Sequence, residues 1–190
     1  MRKALQHVSV TSLRITLAIG IASILLCSRA GAQSSPSAQQ SAGAPAVASQ
    51  PGVVMQRSIT LGLAKMIAEA TLATCQAKGF HTSAAVVDRA GQILVLLRDE
   101  QATAQQAELA RRKAYTARMY RMTTLEFQKR TADPAYAPQR DVTDILALGG
   151  GVPIQVGNET IGGAASSGSN QEQDDACAKA GVAKVADLLK

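Results

Sequence analysis

Only one histidine follows residue 32 of this 190-residue chain, and it is the first side chain to consider for chemistry. His81 stands at the start of the first predicted strand, where an imidazole could ligate a metal. A Ser-His-Asp hydrolase needs no second histidine, but the chain has no G-x-S-x-G nucleophile elbow. CxxC, HExxH and EF-hand spacings are absent too. His81 is therefore a candidate metal ligand, with a structural or surface role as the alternative.

A cluster of basic side chains is the second feature with chemical potential. Arg111, Arg112 and Lys113 are consecutive in one predicted helix, which also carries Arg118 and is followed by Arg121. A solvated charged face is one interpretation, and recognition of anionic groups such as carboxylates is the other. The same helix has a stripe of four alanines, Ala107, Ala110, Ala114 and Ala117. Such a stripe lets a sheet, a partner helix or a flat ligand come close, and a porphyrin with its propionates fits the combination.

Glycines are concentrated in the last third of the chain. The clusters at 149–151 and 162–163 could cradle a phosphate, but neither matches the P-loop or the GxGxxG pattern. Tight backbone geometry is the preferred interpretation. The acidic residues Glu172, Asp174 and Asp175 follow in the first turn of the last predicted helix, where carboxylates favour the helix dipole. Metal binding or contact with a partner is the alternative for them.

Periodic patterns place these groups on eight elements. The elements are a helix over 61–75, a hairpin of strands 83–87 and 92–97, a helix over 103–120, a short helix after Thr123, a hairpin of strands 152–156 and 160–165, and a closing helix. Ser58 or Thr60 can cap the first helix, and Thr123-x-x-Glu126 and Ser169-x-x-Glu172 are predicted capping boxes. The order α-β-β-α-α-β-β-α predicts an α+β fold with helices against an antiparallel sheet.

The first residues predict export. A basic segment precedes an apolar run over 15–27 that is too short to span a bilayer. A small-residue cleavage site follows at 30–32, so residues 1–32 are predicted to be a signal peptide. Cys27 leaves lipid attachment as an alternative. We expect the mature protein in the periplasm or outside the cell.

The remaining chain divides into a linker and one domain. Residues 33–52 are rich in Ala, Ser, Gln and Pro and carry no charge, which predicts a disordered linker, and residues 53–190 have the size of a single domain. The whole chain has a net charge of +6, but four of its basic residues lie in 1–32, which leaves the mature chain at +2. Nucleic-acid binding therefore loses its main support, and no such partner is expected.

Two cysteines, Cys75 and Cys177, lie outside the predicted signal peptide. In an oxidising compartment they could form a disulfide. Both fall in predicted helices, but a sequence does not supply the Cα separation that a disulfide requires. Two small buried thiols are the equally plausible alternative.

Three blocks of the chain resemble the GlcG/HbpS-like family of small haem-binding proteins. They are AAVVDRAGQILVLLRDEQA (84–102), ARRKAYTA (110–117) and GGGVPIQVGNETIGGAASSGSNQEQDDACAKAG (149–181). Together with the first helix they cover nearly all of 58–190. The resemblance implies a profilin-like α+β domain, assembly into symmetric homo-oligomers, and haem or a related tetrapyrrole as ligand. The segment 164–168, AASSG, departs from the GVSG-type ending usual in the family.

The resemblance also implies ligand-binding residues. Arg98, Lys113, Tyr115 and Thr116 lie in matching blocks, in the part of the family that is associated with haem. Gly150 and Gly151 match the glycine turn of the family. No iron ligand is implied, because the family does not keep one obvious residue for it.

These features favour an exported haem-binding protein, acting in haem or iron sequestration or sensing as a homo-oligomer. One alternative is an enzyme that degrades haem or modifies a small metabolite, although the chain shows few redox or proton-transfer groups. Another alternative is a structural or sensor-partner module without haem, working with a membrane sensor or a transport partner.

Overall fold

Four antiparallel strands carry helices on both of their faces. The computed structural model describes residue 52 and residues 54–190, so the predicted signal peptide and nearly all of the predicted linker lie outside the described residues. The elements are α1 (Leu61–Gln76), β1 (Ser83–Val87), β2 (Ile93–Arg98), α2 (Ala104–Tyr120), α3 (Thr124–Arg130), β3 (Gly151–Val156), β4 (Glu159–Ser167) and α4 (Gln171–Ala183). Their order confirms the predicted α+β fold. Within residues 54–190, no helix combines the length and apolarity needed to cross a membrane.

The sheet has the order β2-β1-β4-β3, with every neighbouring pair antiparallel. It is built from two hairpins, β1–β2 and β3–β4, which join through their first and last strands. Ser83 of β1 is paired with Arg98 on one side and with Ser167 on the other. These three residues therefore form a row across one end of the sheet, and the two hairpin turns lie at the opposite end.

The two faces of the sheet are covered by different helices. Alternation along β1 turns Ala84 and Val86 toward the core beneath α1 and α4, and Ala85 and Val87 toward α2. β1 is buried along its whole length, which explains its nearly continuous apolar sequence. β2 is an edge strand with exposed side chains.

The alanine stripe of α2 packs on the sheet. Ala110, Ala114 and Ala117 are fully buried, and a Cβ on Gly163 of β4 would collide with the backbone oxygen of Ala114. The flat-ligand alternative for this stripe is therefore wrong. Small side chains on the helix and glycine on the strand let the two backbones approach, so the sheet itself fills the space.

Gly163→Ala is expected to lower the free energy of unfolding by about 3 kcal/mol, because the new methyl group would meet backbone that must shift. Gly62→Ala is the matched control, since Gly62 is an exposed residue of α1 and nothing lies within 4 Å of its Cβ position. We expect this control to stay within about 1 kcal/mol of the parent, on the stabilising side. Urea denaturation measures both, and equal stabilities of the two variants would contradict the packing explanation.

Side-chain caps begin the helices, with one difference from the sequence prediction. Thr60 caps α1, and the Thr123–Glu126 capping box of α3 is present. α4 begins one residue later than predicted, because the Asn170 side chain accepts the hydrogen bond from the Gln173 N–H at 2.8 Å. The predicted capping box at Ser169 is wrong, since its hydroxyl donates to the carboxylate of Asp174 instead.

Candidate functional site

A buried ion pair between α2 and α4 lies at the end of the sheet marked by Ser167. The amine of Lys113 donates to the Asp174 carboxylate at 2.9 Å and to the Ser166 backbone oxygen at 3.1 Å. The two charged side chains are 1% and 2% exposed. Burial lowers the pKa of Lys113, and the charge of Asp174 opposes that shift. This buried pair joins α2 to α4, and it uses two of the three donors of the Lys113 amine.

Gly150 makes room for this ion pair. Its φ is +120°, and a Cβ there would lie 2.6 Å from the Ser166 backbone oxygen, 2.7 Å from Cβ of Asp174 and 3.0 Å from Nζ of Lys113. Gly151 is similarly pressed against the backbone of Lys113. These contacts favour tight backbone geometry over a phosphate cradle as the role of the 149–151 cluster.

Asp174 organises the turn between β4 and α4. Its carboxylate accepts hydrogen bonds from the Ser166 hydroxyl at 3.3 Å, the Gly168 N–H at 3.3 Å, and the N–H and hydroxyl of Ser169 at 3.1 and 2.7 Å. A depression of about 520 Å³ opens over this turn. Its other walls come from α2 and from Leu148. Of the three acidic residues at the start of α4, Asp174 therefore does more than favour the helix dipole, because it also fixes the turn that leads from β4.

The other α2 residues named from sequence anchor a loop. Thr116 is buried, donates to the Arg112 backbone oxygen and accepts from the Leu146 N–H, both at 2.8 Å. The side chain of Arg112 donates to the Ile145 backbone oxygen at 2.8 Å. Arg111 forms an ion pair with Asp144 at 2.6 Å. This part of the basic cluster therefore makes contacts within the protein and is not simply a solvated charged face.

Arg98 belongs to an exposed strip on the edge strand. Ile93 and Leu96 stand opposite Val87 and Ala85, so their side chains share the α2 face of the sheet. Both are 45% exposed, because α2 covers the central strands and leaves β2 open. We call the exposed side chains of Ile93, Leu96 and Arg98 the edge strip.

Two further residues flank this region. Tyr115 is half-buried on α2, where its ring contacts the turn at Gly91 that leads into β2. The guanidinium of Arg98 donates to the backbone oxygens of Asp99 and Ala102, at the other end of the strand. The Tyr115 ring thus lies toward one end of the edge strip, and the Arg98 guanidinium lies at the other end.

His81 contacts Asp99, the residue that follows Arg98. Its Nδ1 is 3.1 Å from Oδ1 of Asp99, and its side chain is 46% exposed whereas that of Asp99 is 3% exposed. Hydrogen bonds from the Gln76 side chain and the Gln101 N–H, with a further one from His81, lower the pKa of Asp99 to about 2. The carboxylate is thus ionised and fixes the ring through Nδ1, which leaves Nε2 as the nitrogen for a ligand.

The two cysteines join α1 to α4. Cys75 and Cys177 form a disulfide with a Cα separation of 5.6 Å, and both are fully buried. The described residues contain no group of three or more His, Cys, Asp or Glu side chains arranged to hold a metal ion. His81, with Asp99 beside it, therefore belongs to no such group.

Sequence reasoning missed two features of this geometry. The partner of Lys113 was not predicted, although position 113 falls on the same helical face as the buried alanines and so signals a buried amine. A pocket lined by four arginines at the hairpin-turn end of the sheet was also missed, because its lining residues come from four separate segments of the chain, three of which carry the arginines.

The comparison with protein families then decides the relationship. The family described as "Haem degrading protein HbpS-like" matches residues 59–183, which include every helix and strand of the sheet domain. This chain belongs to the HbpS-like family. The match confirms the resemblance drawn from the three sequence blocks.

Individual relatives agree with that assignment. A crystal structure of a double mutant of Streptomyces reticuli HbpS is 34% identical to this HbpS-like chain, with a TM-score of 0.67 over 74% of this chain and 97% of that one. The uncharacterized 15.0 kDa protein in the dhaT-dhaS intergenic region of Citrobacter freundii is 31% identical over 120 residues, 62% of this chain and 84% of its own. PduOC, solved as a heme complex, is 24% identical with a TM-score of 0.60 over 66% and 94%, which is a likeness of fold.

Proposed function

We propose that this HbpS-like protein binds haem or a related tetrapyrrole. The observation that carries the proposal is the family match across the whole sheet domain, together with 34% identity to HbpS. PduOC adds support, because a protein of the same fold was crystallised with heme. The chain's own residues must then supply a surface that suits the ligand.

The edge strip offers such a surface. A porphyrin needs apolar contact for its ring and cations for its propionates, and Ile93, Leu96 and Arg98 provide both on one exposed face. His81 fits the requirement for an iron ligand, because the carboxylate of Asp99 holds Nδ1 and orients the ring in the way that outer-shell carboxylates orient metal-bound histidines. Bound haem would supply the iron and the redox chemistry, and these residues would bind and orient it.

The same surface supports assembly. An exposed edge strand has unpaired backbone groups and readily pairs with another chain. A second copy on β2 would cover the edge strip and enclose a flat ligand between two subunits. We therefore extend the proposal to a homo-oligomer, which light scattering of the purified protein tests directly.

The proposal includes export. The predicted signal peptide motivates it, and the Cys75–Cys177 disulfide supports it because such bonds persist in oxidising compartments. Cell fractionation with N-terminal sequencing of the mature protein tests it. Recovery of the intact chain from the cytoplasm would count against export.

Titration of the purified protein with hemin is expected to give a saturable Soret change. Arg98→Gln should weaken hemin binding about fivefold, the effect of losing about 1 kcal/mol from a partly exposed ionic hydrogen bond. His81→Ala should shift the Soret maximum and the ligand-field bands, because it removes the proposed iron ligand. Lys65→Gln is the charge control, since this exposed lysine lies on α1, away from the edge strip.

The proposal fails if no saturable Soret change appears. The edge strip is the wrong site if Arg98→Gln and His81→Ala both behave like Lys65→Gln. Lys113 is not used in this test, because its substitution would disturb folding before it could report on a ligand.

Haem degradation is the second candidate, and the family description favours it. The chain would then act on the tetrapyrrole instead of only holding it. Incubation of the hemin complex with a reductant and oxygen separates the two activities. Release of iron with a biliverdin-like product would identify degradation, and an unchanged Soret band would leave binding as the function.

A further inference from the structure

Four arginines converge at the hairpin-turn end of the sheet, away from Arg98 and His81. Arg57 precedes α1, Arg89 lies in the β1–β2 turn, Arg118 is in the last turn of α2, and Arg121 follows that helix. Together with the β3–β4 turn they line a depression of about 490 Å³. We call this feature the arginine pocket. Its size falls within the range of small-molecule sites.

One carboxylate lines the pocket, and it serves two of the arginines. Glu159 forms ion pairs with Arg57, at 3.9 Å, and with Arg89. Arg89 also donates to the Arg57 backbone oxygen at 3.2 Å, so the Arg89 side chain is held in place. The pocket therefore retains an excess of positive charge after its own acid is used.

Arg118 and Arg121 form no ion pair within residues 54–190. Another acid, Asp88, lines an adjoining depression with Arg118 and raises the pKa of that arginine. The Asp88 carboxylate already accepts the Gln92 N–H at 2.9 Å. Asp88 therefore moderates the charge around Arg118 without pairing with it.

Arg118 combines an unsatisfied donor with a charge that neighbouring cations oppose. Its Nε is buried, and no hydrogen-bond acceptor among the described residues reaches it. A buried donor without an acceptor is unfavourable. Burial, together with the charges of Arg89 and Arg121, lowers the pKa of Arg118. An anion in the pocket would relieve the repulsion among these arginines.

The end of a helix accounts for only part of this arrangement. Cations are favoured at a helix C-terminus, which explains one arginine in the last turn of α2. It does not explain why Arg57 and Arg89 come from other segments to the same place, or why Arg118 keeps an unsatisfied donor. Guanidinium groups present planar forks that match the oxygens of carboxylate and phosphate groups.

We propose that the arginine pocket binds a multiply charged oxyanion, with Arg118 and Arg121 as its principal donors. Phosphate and carboxylate oxygens share the required chemistry, so the anion is either a free phosphate or polycarboxylate, or the carboxylate edge of a larger ligand such as a tetrapyrrole. Binding of a free anion does not require haem, and only the tetrapyrrole alternative rests on the proposed function.

The test titrates the haem-free purified protein with inorganic phosphate or with citrate, at constant ionic strength kept with chloride. We expect a saturable rise in melting temperature that chloride alone does not produce. Arg118→Gln should weaken binding about tenfold through loss of a charge-assisted fork. Arg130→Gln is the matched control, since it removes one exposed guanidinium from α3, outside the pocket.

Two further measurements keep the outcome decisive. Arg121→Gln changes an exposed side chain and should also weaken binding, so a folding defect in Arg118→Gln does not remove the test. A hemin titration of the same variants distinguishes the source of the anion. Weaker hemin binding without any response to phosphate or citrate assigns the pocket to the carboxylates of a larger ligand. No response to any of the three ligands, or equal responses in Arg118→Gln and Arg130→Gln, overturns the proposal.

Discussion

Asp174→Asn is expected to lower the free energy of unfolding by about 3–5 kcal/mol, because it leaves the buried amine of Lys113 without its counter-charge. The pair is 1% and 2% exposed, so water does not replace the lost carboxylate. The same substitution weakens the turn that carries Ser166 and Ser169, whose hydroxyls donate to Asp174. Chemical denaturation of parent and variant measures the difference.

A surface ion pair supplies the control for that experiment. Asp187 pairs with Lys190 at 2.9 Å, and their side chains are 94% and 76% exposed. Asp187→Asn is expected to cost less than about 1 kcal/mol, as exposed pairs do. A similar decrease in the free energy of unfolding in both variants would show that burial does not determine how much the Lys113–Asp174 pair stabilises the protein.

The pH dependence of Asp174→Asn follows from the pKa of Lys113. Burial lowers that pKa from its ordinary value of 10.5, and removal of Asp174 removes the charge that opposes the shift. The unfolded chain then binds more protons than the folded chain between the two pKa values, so stability rises with pH in that window. The difference in free energy of unfolding between parent and variant should therefore shrink as the pH rises from neutral toward 10.5. A deficit that stays constant or grows would contradict this assignment.

Removal of the disulfide is the second large effect that we expect. The double variant Cys75→Ala/Cys177→Ala should lose about 2–5 kcal/mol of stability. The bond closes a loop with a sequence separation of 102 residues, and loops of that length give about 4.7 kcal/mol in the chain-entropy account. It also ties α1 to α4, the two helices that cover one face of the sheet.

Reductant provides the internal control. Under unfolding conditions it should lower the stability of the parent protein to about that of the double variant, and it should leave the double variant unchanged. If the denatured parent instead shows both thiols free toward a thiol reagent without prior reduction, the bond is absent in the isolated protein. The support that it gives to export would then be lost as well.

Local chemistry allowed much of the fold to be predicted from sequence. Helix periodicity, the α1 cap predicted at Ser58 or Thr60, and the Thr123–Glu126 box depend on residues within a few positions of one another. The structure confirms all three, with Thr60 as the cap. The prediction at Ser169 was wrong because a tertiary partner, Asp174, competes for its hydroxyl. A local rule fails where a buried charge needs the same hydrogen bond.

The sequence by itself determined the elements, their order and the family, because these depend on short-range spacing and on motifs that run along the chain. Only the tertiary structure decided which residues from distant parts of the chain contact one another. Lys113 meets Asp174 across 61 positions, and the arginine pocket collects side chains from four segments. Such long-range contacts depend on how the two hairpins join in the order β2-β1-β4-β3 and on which face of the sheet each helix covers. Local periodicity carries no information about that long-range pairing.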